Sequence, residues 1–370
     1  MSQVNLFYQL ANIPFRLFAK RPYVPPQKAI MLHPCCLSHV LLSTPLLALL
    51  SETYPQARFD WAISDIARPA IVTNPRVNEF IRTSDGPFAQ ATREDVQRLT
   101  QQLRDEKYDT CFILGDSPLL SRIAWRANIP QRIGLNIGGS GFANTLAITP
   151  PKDEKHAATR YLSLANAIGL DTNQSIVKME FYPKDADFTA VTQRLIDEVD
   201  WLGERPLVVL HPGGGHGAPL TDEQCRWPLE RFVLLGNHIT RKHNAALIVV
   251  GSEQDRKTAE SIVGMMSGRA VSWAGRVTLG ELGALCGLAD LYVGNDTGPT
   301  HIAVAMNCAT IAIYGPTDPV ISAPFTQQQD QLIMLKSDDE KRPFSWENNL
   351  PIKEVTKAVD NLISHKKQKD

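Results

Sequence analysis

A carboxylate, a hydroxyl, a glycine and an imidazole lie within six residues of the sequence, at Asp296, Thr297, Gly298 and His301. They follow an apolar run at residues 289–293 and precede apolar residues at helical spacing, which predicts the passage from a strand to a helix. In open α/β sheets, ligands bind at the carboxyl ends of strands, and a helix N-terminus there attracts phosphate. The simpler alternative is that Asp296 or Thr297 is a helix N-cap and that His301 only lies in the first turn.

A glycine-rich segment, His-Pro-Gly-Gly-Gly-His-Gly, occupies residues 211–217 at the end of a strand predicted at residues 207–211. Glycines let the backbone approach a phosphate and point N–H groups at it, so Gly213 and Gly214 are candidate contacts. The segment is not a Walker loop, because no Gly-Lys-Ser/Thr follows. A plain flexible turn is the alternative.

Two charged residues follow in the same half of the chain. Arg226, in an Arg-Trp-Pro triplet, could clamp a diphosphate, or it could pair at the surface with Glu230. Glu253 comes directly after a strand predicted at residues 246–250 and could hold ribose hydroxyls, or it could simply begin a helix. Together with the loop at residues 296–301, these groups surround successive strand ends and favour a nucleotide diphosphate as the ligand.

The first predicted strand is followed by Ser38 and His39, which open a helix. An imidazole titrates near pH 6.5, which suits a general base. A capping serine beside an ordinary histidine is the alternative.

The elements that must position these residues alternate between short apolar runs and longer amphipathic segments, as in βαβ units with a parallel sheet. In the first half, strands are predicted at residues 29–32, 59–63, 79–82, 108–114 and 132–135, and helices at 40–53, 91–105, 119–127 and 155–168. The pattern restarts with strands at residues 207–211, 246–250, 271–273, 291–293 and 310–314, and helices at 229–243, 254–266, 279–288 and 353–363. A segment between residues 170 and 205 joins the halves, with a transition at residues 182–187. The predicted fold class is α/β, with two Rossmann-like domains.

The predicted domain bounds follow from this pattern. Residues 1–28 form an N-terminal extension with a proline-rich linker, and residues 29–183 form the first Rossmann-like domain. Residues 184–340 form the second, nucleotide-binding domain, and residues 341–370 form a C-terminal helix with a basic tail. In the extension, apolar residues are mixed with basic ones, so it could lie on a membrane surface or pack on its own protein.

The composition is that of an ordinary globular protein. With 370 residues, 43% hydrophobic residues and a net charge of −1, the chain carries no electrostatic footprint for nucleic acid. Six cysteines fit neither a dense disulfide framework nor a paired zinc motif, so a reduced, cytoplasmic setting is expected. No apolar run has the roughly 18–20 residues that cross a bilayer.

The sequence resembles glycosyltransferase family 9, the lipopolysaccharide heptosyltransferase family. The resemblance rests on Gly-Asn-Asp-Thr-Gly-Pro-Thr-His-Ile-Ala at residues 294–303 and Tyr-Gly-Pro-Thr-Asp-Pro at residues 314–319. It extends to His-Pro-Gly at 211–213, Arg-Trp-Pro at 226–228 and Gly-Ser-Glu at 251–253, and it covers residues 29 to about 335. It implies the GT-B fold, in which two Rossmann-like domains face each other across a cleft. It also implies that neither a metal nor a cofactor is required.

The activity that the resemblance implies is inverting transfer of a sugar from a nucleotide diphosphate. The donor is commonly ADP-heptose, and the acceptor is a lipopolysaccharide core or another glycan or glycolipid at the cytoplasmic face of the membrane. The donor diphosphate and sugar would contact the loop that contains Asp296, Thr297, Gly298 and His301. Glu253 would bind the ribose, and the site would be completed by Gly213, Gly214 and Arg226.

The chain departs from the family pattern at two positions. The family usually has Gly-Asp before the first helix, with the Asp as the proposed base, whereas this chain has Ser38-His39. We therefore assign the catalytic base to His39 and an acceptor-side position to Ser38. Cys225 stands where a lysine often precedes the Arg-Trp-Pro triplet. The alternatives are another base or sugar, a nucleotide-sugar epimerase on the same fold, and a non-catalytic relative that binds a sugar nucleotide or a glycan.

Overall fold

The computed structural model describes residues 22–172, 177–214, 222–328, 331–336, 344–347 and 349–366. The chain divides into two compact units, Met1–Met179 and Glu180–Asp370. The predicted membrane-surface segment lies outside the described residues, as do Gly215, His216 and Gly217. Within the described part of the chain, no helix combines the length and the apolar character that a membrane crossing needs.

The first unit is built on a six-stranded parallel sheet with the order β3-β2-β1-β4-β5-β6. Its strands are β1 (Lys28–Leu32), β2 (Arg58–Ile63), β3 (Phe80–Arg82), β4 (Thr110–Ile113), β5 (Gln131–Leu135) and β6 (Leu146–Ile148). Its helices are α1 (Leu37–Thr53), α2 (Arg93–Asp105), α3 (Pro118–Arg126) and α4 (Ala157–Ala167). The central strand β1 reads as a continuous apolar run because helices cover both faces of a parallel sheet.

Helix α1 continues through Pro45, which has no N–H to donate to the carbonyl of Leu41. The hydroxyl of Thr44 donates to that carbonyl oxygen instead, at 2.7 Å. The helix therefore stays intact, and it buries residues 40–50.

The second unit repeats this plan, with the order β12-β11-β10-β7-β8-β9. Its strands are β7 (Leu207–His211), β8 (Ala246–Val249), β9 (Val271–Ser272), β10 (Leu291–Asn295), β11 (Thr310–Tyr314) and β12 (Leu332–Lys336). Its helices are α5 (Asp185–Val199), α6 (Asp222–Cys225), α7 (Leu229–His243), α8 (Arg256–Met265), α9 (Leu279–Leu288), α10 (Gly298–Ala305), α11 (Pro319–Ser322) and α12 (Ile352–Lys366). Counted within its own unit, each sheet has the order 3-2-1-4-5-6. The strand order therefore reverses between β1 and β4 and between β7 and β10.

The predicted α/β fold class is confirmed, and each predicted strand and helix is present with its ends within three residues. The elements that were not predicted include two edge strands and one helix. Strands β6 and β12 lie at sheet edges and are only partly buried, so they lack a continuous apolar run. Helix α5 begins at Asp185, within the transition predicted at residues 182–187. That helix buries only Val191 and Leu195, which leaves a weak apolar period.

Candidate functional site

At the switch point of the second sheet, the side chain of Asn295 joins three segments. Its amide nitrogen donates to the carbonyl oxygens of Pro212 at 3.1 Å and Gly213 at 3.0 Å. Its amide oxygen accepts from the backbone N–H of Trp227 at 3.1 Å. Asn295 is fully buried, so these bonds fix the glycine loop and the Arg-Trp-Pro triplet against the end of β10. The motif alone does not single out this residue, because its partners are distant in sequence.

Gly213 and Gly214, the described glycines of this loop, pack closely against neighbouring side chains. A Cβ on Gly213 would lie 2.7 Å from Oδ2 of Asp255 and 2.9 Å from Cε1 of His211. A Cβ on Gly214 would lie 2.9 Å from both Cγ and Nε of Arg226. The need for glycine therefore arises from neighbouring side chains, and the predicted contact with phosphate stays a prediction.

Arg226 is held by Asp255, through a bond of 3.0 Å from Nη2 to Oδ1. Asp255 is buried, and its other oxygen accepts from the backbone N–H of Ser252 at 2.9 Å and from the hydroxyl of Ser252 at 2.7 Å. The guanidinium therefore lies beside the backbone of Gly214 in a fixed position. Asp255 was not predicted as a site residue, although the Ser-x-x-Asp spacing of a capping box could have revealed it.

Glu253 lies at the start of a short 3₁₀ turn, Glu253–Asp255, after β8. Its carboxylate accepts from Nη2 of Arg256 at 2.5 Å and is largely exposed. Gly275 has a φ of +69°, and a Cβ there would clash with this carboxylate. The position agrees with the alternative that Glu253 begins a helical segment, and its predicted role at a ribose stays a prediction.

The loop after β10 leads directly into helix α10, as predicted. Thr297 occupies the N-cap position, but its side chain makes no capping bond; its hydroxyl lies 3.4 Å from that of Thr300. Asp296 is half-buried, and together with burial its charge raises the pKa of Tyr314. His301 is 1% exposed and lies inside α10, so the imidazole belongs to the packed part of the unit.

In the first unit, a chain of hydrogen bonds leads from β1 to His39. The hydroxyl of Ser43 donates to the carbonyl of Val40 at 2.7 Å, so its oxygen accepts from Nδ1 of His33 at 3.1 Å. Nε2 of His33 then accepts from the hydroxyl of Tyr161 at 3.3 Å. The Tyr161 oxygen in turn accepts from Nδ1 of His39 at 2.8 Å.

This sequence of donors and acceptors leaves the proton of the neutral His39 ring on Nδ1. With Nδ1 protonated, the neutral ring keeps the lone pair on Nε2, which is the atom that a general base needs. His33 can accept the bond from Tyr161 because burial lowers the pKa of His33 to about 3 and keeps its ring neutral. Tyr161 is far from His39 in sequence, so no local motif could have revealed it.

The predicted placement of Ser38 and His39 ahead of the helix is corrected by the structure. Helix α1 begins at Leu37, so both residues lie in its first turn, and Cys36 occupies the N-cap position. The hydroxyl of Ser38 lies 3.4 Å from Sγ of Cys36, and Sγ of Cys35 lies 3.8 Å from it. The hydrogen bonds from Cys35 and Ser38 lower the pKa of Cys36, and burial opposes them. Ser38 therefore contacts the sulfur of Cys36 and does not cap the helix.

Two groups of three potential metal ligands occur among the described residues. One consists of His33, Cys35 and His39, whose ligand atoms lie within 4.8 Å of one another. The Tyr161 hydroxyl bonds to both of these imidazoles, so the arrangement is that of a hydrogen-bonded relay. The other group consists of His238, His243 and Asp360 in the second unit.

Two doubly wound sheets, each with polar loops at its switch point, define a protein of the GT-B class. The structure is similar to a glycosyltransferase family 9 protein from Veillonella parvula, with a TM-score of 0.77 and 19% identity over 92% of this chain and 97% of that one. It is also similar to the E. coli ADP-heptose lipopolysaccharide heptosyltransferase II, with a TM-score of 0.73 and 20% identity over 92% of this chain and 99% of that one. These likenesses show the fold.

The chain belongs to glycosyltransferase family 9 (heptosyltransferase), whose sequence model matches residues 96–347. It is 25% identical to lipopolysaccharide heptosyltransferase 2 of Escherichia coli (strain K12) over 309 residues, which are 81% of this chain and 86% of that protein. The family resemblance found in the sequence is thus confirmed.

Proposed function

We propose that this glycosyltransferase moves heptose or a related sugar, with inversion, from a nucleotide diphosphate to a lipopolysaccharide core or another glycan acceptor. ADP-heptose is the first candidate donor, since two of the proteins named above are heptosyltransferases and one of these is named for ADP-heptose. We place donor binding in residues 184–340 and acceptor binding in residues 29–183. The acceptor glycolipid would be met at the cytoplasmic face of the membrane, with the protein bound peripherally.

The observation that carries the donor site is the Asn295-held loop with Arg226 beside Gly214. A guanidinium held in place by a buried carboxylate suits a diphosphate ligand, because its planar N–H groups match the geometry of phosphate oxygens. The N-terminus of α10 after Asp296, Thr297 and Gly298 adds a favourable field for the departing diphosphate. Glu253 would accept hydrogen bonds from the ribose hydroxyls, and His301 would support the loop from inside α10.

In the proposed reaction, Nε2 of His39 takes the proton of an acceptor hydroxyl. The acceptor oxygen attacks the anomeric carbon opposite the phosphate, the bond from that carbon to the diphosphate oxygen breaks, and the nucleoside diphosphate leaves. Charge that develops on the leaving oxygens is stabilised by Arg226 and the α10 N-terminus, without a required metal. Ser38 would contact the acceptor.

A donor screen tests the binding half of the proposal. Purified protein is heated with ADP-, GDP-, UDP- and dTDP-sugars, and a ligand that binds only the folded state raises the melting temperature. We expect the ADP-sugar to give the largest rise and Arg226→Ala to remove most of it. An equal rise in wild type and Arg226→Ala would contradict the assigned site. Release of free ADP only when acceptor is present would separate transfer from epimerisation.

A substitution of His39 tests the catalytic half. We expect His39→Ala to lower kcat by about 10²–10⁴-fold, the range for loss of a general base, with the Kd for ADP unchanged. The neighbouring Ser38→Ala should instead change the KM for acceptor. Full turnover by His39→Ala would rule out His39 as the base, whatever the outcome of the donor screen.

A further inference from the structure

Two histidines and one aspartate converge on the surface of the second unit, away from the loops described above. His238 and His243 lie on α7, and Asp360 lies on α12. Nε2 of His238 is 2.8 Å from Oδ1 of Asp360, and Nε2 of His243 is 2.7 Å from the same oxygen. Two imidazole nitrogens from α7 thus meet one carboxylate oxygen from α12, and the three potential ligand atoms all lie within 4.8 Å of one another.

We propose that His238, His243 and Asp360 form a binding site for a divalent transition-metal cation of the zinc type. Imidazole nitrogens with one carboxylate oxygen suit Zn²⁺, Co²⁺ or Ni²⁺, whereas Mg²⁺ and Ca²⁺ prefer oxygen ligands alone. Zinc lies about 2.0–2.2 Å from such ligands, which requires the nitrogen–oxygen distances to open by roughly half an ångström. Water would complete the coordination.

The electrostatic surroundings of the site favour a cation in two ways. Asp360 supplies a carboxylate beside both imidazoles, and its negative charge attracts a cation. His243 is the last residue of α7, where the carbonyl ends of the helix carry partial negative charge.

Ligand access and packing also fit a metal site. The side chain of His238 is 28% exposed and that of His243 is 8% exposed. His238 also lines a surface depression with Leu234, Asn237, Arg241 and Lys242, which gives an ion a path from solvent. A bound ion would crosslink α12 to α7 and stabilise the unit by mass action.

Lys242 is the cation that is bonded to Asp360, so it competes with an ion for this carboxylate. Nζ of Lys242 lies 2.7 Å from Oδ2 of Asp360, on a side chain that is 55% exposed. If the cluster only joins the two helices by hydrogen bonds, removal of Lys242 removes an ion pair and does not change metal affinity. If the cluster binds a metal, removal of this competing cation tightens binding.

The experiment uses the full-length chain without a purification tag, freed of metal by a chelator. Zn²⁺ is titrated while the melting temperature is measured, and Co²⁺ is titrated while visible absorption reports coordination by protein ligands. We expect one equivalent of each ion to bind. His238→Gln and Asp360→Asn should each weaken binding by at least about tenfold, since even loss of an outer-shell partner costs that much. Lys242→Met should strengthen binding several-fold.

The controls separate this site from the other histidine cluster. Cys35→Ala, in the first unit, should leave the Zn²⁺ and Co²⁺ responses unchanged. The proposal is overturned if the responses survive in a His238→Gln, His243→Gln double variant, or if Lys242→Met binds no more tightly than wild type. His238 is the more exposed histidine, so its single variant keeps the test available if the double variant fails to fold.

Discussion

The side-chain nitrogen of Asn295 lies 3.0 Å from the carbonyl oxygen of Gly213, which ties the end of β10 to the loop after β7. The two residues are 82 positions apart in the chain, so this bond is a product of the strand order. It makes one buried amide responsible for the shape of the candidate donor site.

Asn295→Ala should therefore damage both the fold and the site. The substitution leaves buried backbone groups of Pro212, Gly213 and Trp227 without their partner, at a cost of about 2–4 kcal/mol in the free energy of unfolding. We expect a lower urea midpoint and an ADP affinity reduced about tenfold or more. Asn78→Ala is the matched control, because Asn78 accepts from the N–H of Phe59 in the first unit. If Asn295→Ala binds ADP normally, the amide does not shape the site.

Gly214→Ala should weaken donor binding through displacement of Arg226. The added methyl group would lie 2.9 Å from Cγ and Nε of Arg226, so the guanidinium must move from its place beside the loop. Calorimetric titration with ADP is the measurement, and we expect a Kd raised at least several-fold. Gly264→Ala is the control, because nothing lies within 4 Å of its Cβ and it is exposed on α8. That change should raise stability by about 0.5–1 kcal/mol and leave the Kd unchanged.

Tyr161→Phe should slow transfer without changing donor affinity. The ring remains, but the hydroxyl between Nδ1 of His39 and Nε2 of His33 is lost, so the Nε2 lone pair of His39 is no longer favoured. We expect kcat to fall about tenfold or more, which is less than the loss expected when the general base itself is removed. Tyr108→Phe removes a hydroxyl that donates to Asp60 in the same unit and should leave kcat unchanged. Equal kcat values for Tyr161→Phe and wild type would show that the relay has no catalytic part.

The stability of the second unit should depend on the protonation of His211. Burial, opposed by the nearby Asp255, lowers the pKa of His211 from 6.5 to about 4. Between these values the unfolded chain binds a proton that the folded chain does not, so the free energy of unfolding falls as the pH drops through this window.

His211→Leu, a change of similar volume, tests this sign. The loss of stability between about pH 7 and pH 5 should be smaller by about 1–2 kcal/mol in the variant than in wild type. Urea unfolding at both pH values measures the difference. An identical loss in the two proteins would mean that His211 is not held neutral by burial.

The sequence predicts those elements that bury a continuous apolar run. Strands β7 and β11 are found at their predicted residues because aliphatic side chains fill them and polar or Gly-Pro segments end them. The sequence did not predict helix α5, because its two buried residues give only a weak apolar periodicity. Gly213, Gly214 and Arg226 could be proposed from the sequence because a glycine run and a nearby cation are typical of a phosphate site, and their contact with a diphosphate stays a prediction.

Other site residues depend on contacts that only the folded chain creates. Tyr161 reaches His39 across 122 positions, and Asn295 reaches Trp227 across 68. The spacing of residues along the sequence does not indicate such long-range pairs. Ser38 is an intermediate case: its position was known, but its neighbour Cys36 became its partner only because α1 starts one residue earlier than Ser38.

The repeated 3-2-1-4-5-6 order gives each unit its own switch point and its own apolar core. Residues that follow β1, such as Cys36, Ser38 and His39, can therefore be exchanged without repacking the residues around Asn295. This independence makes the chain modular in an evolutionary sense. Under the proposed function, the second unit would keep its donor site while the first changes its acceptor by substitution of a few residues at the end of a single strand.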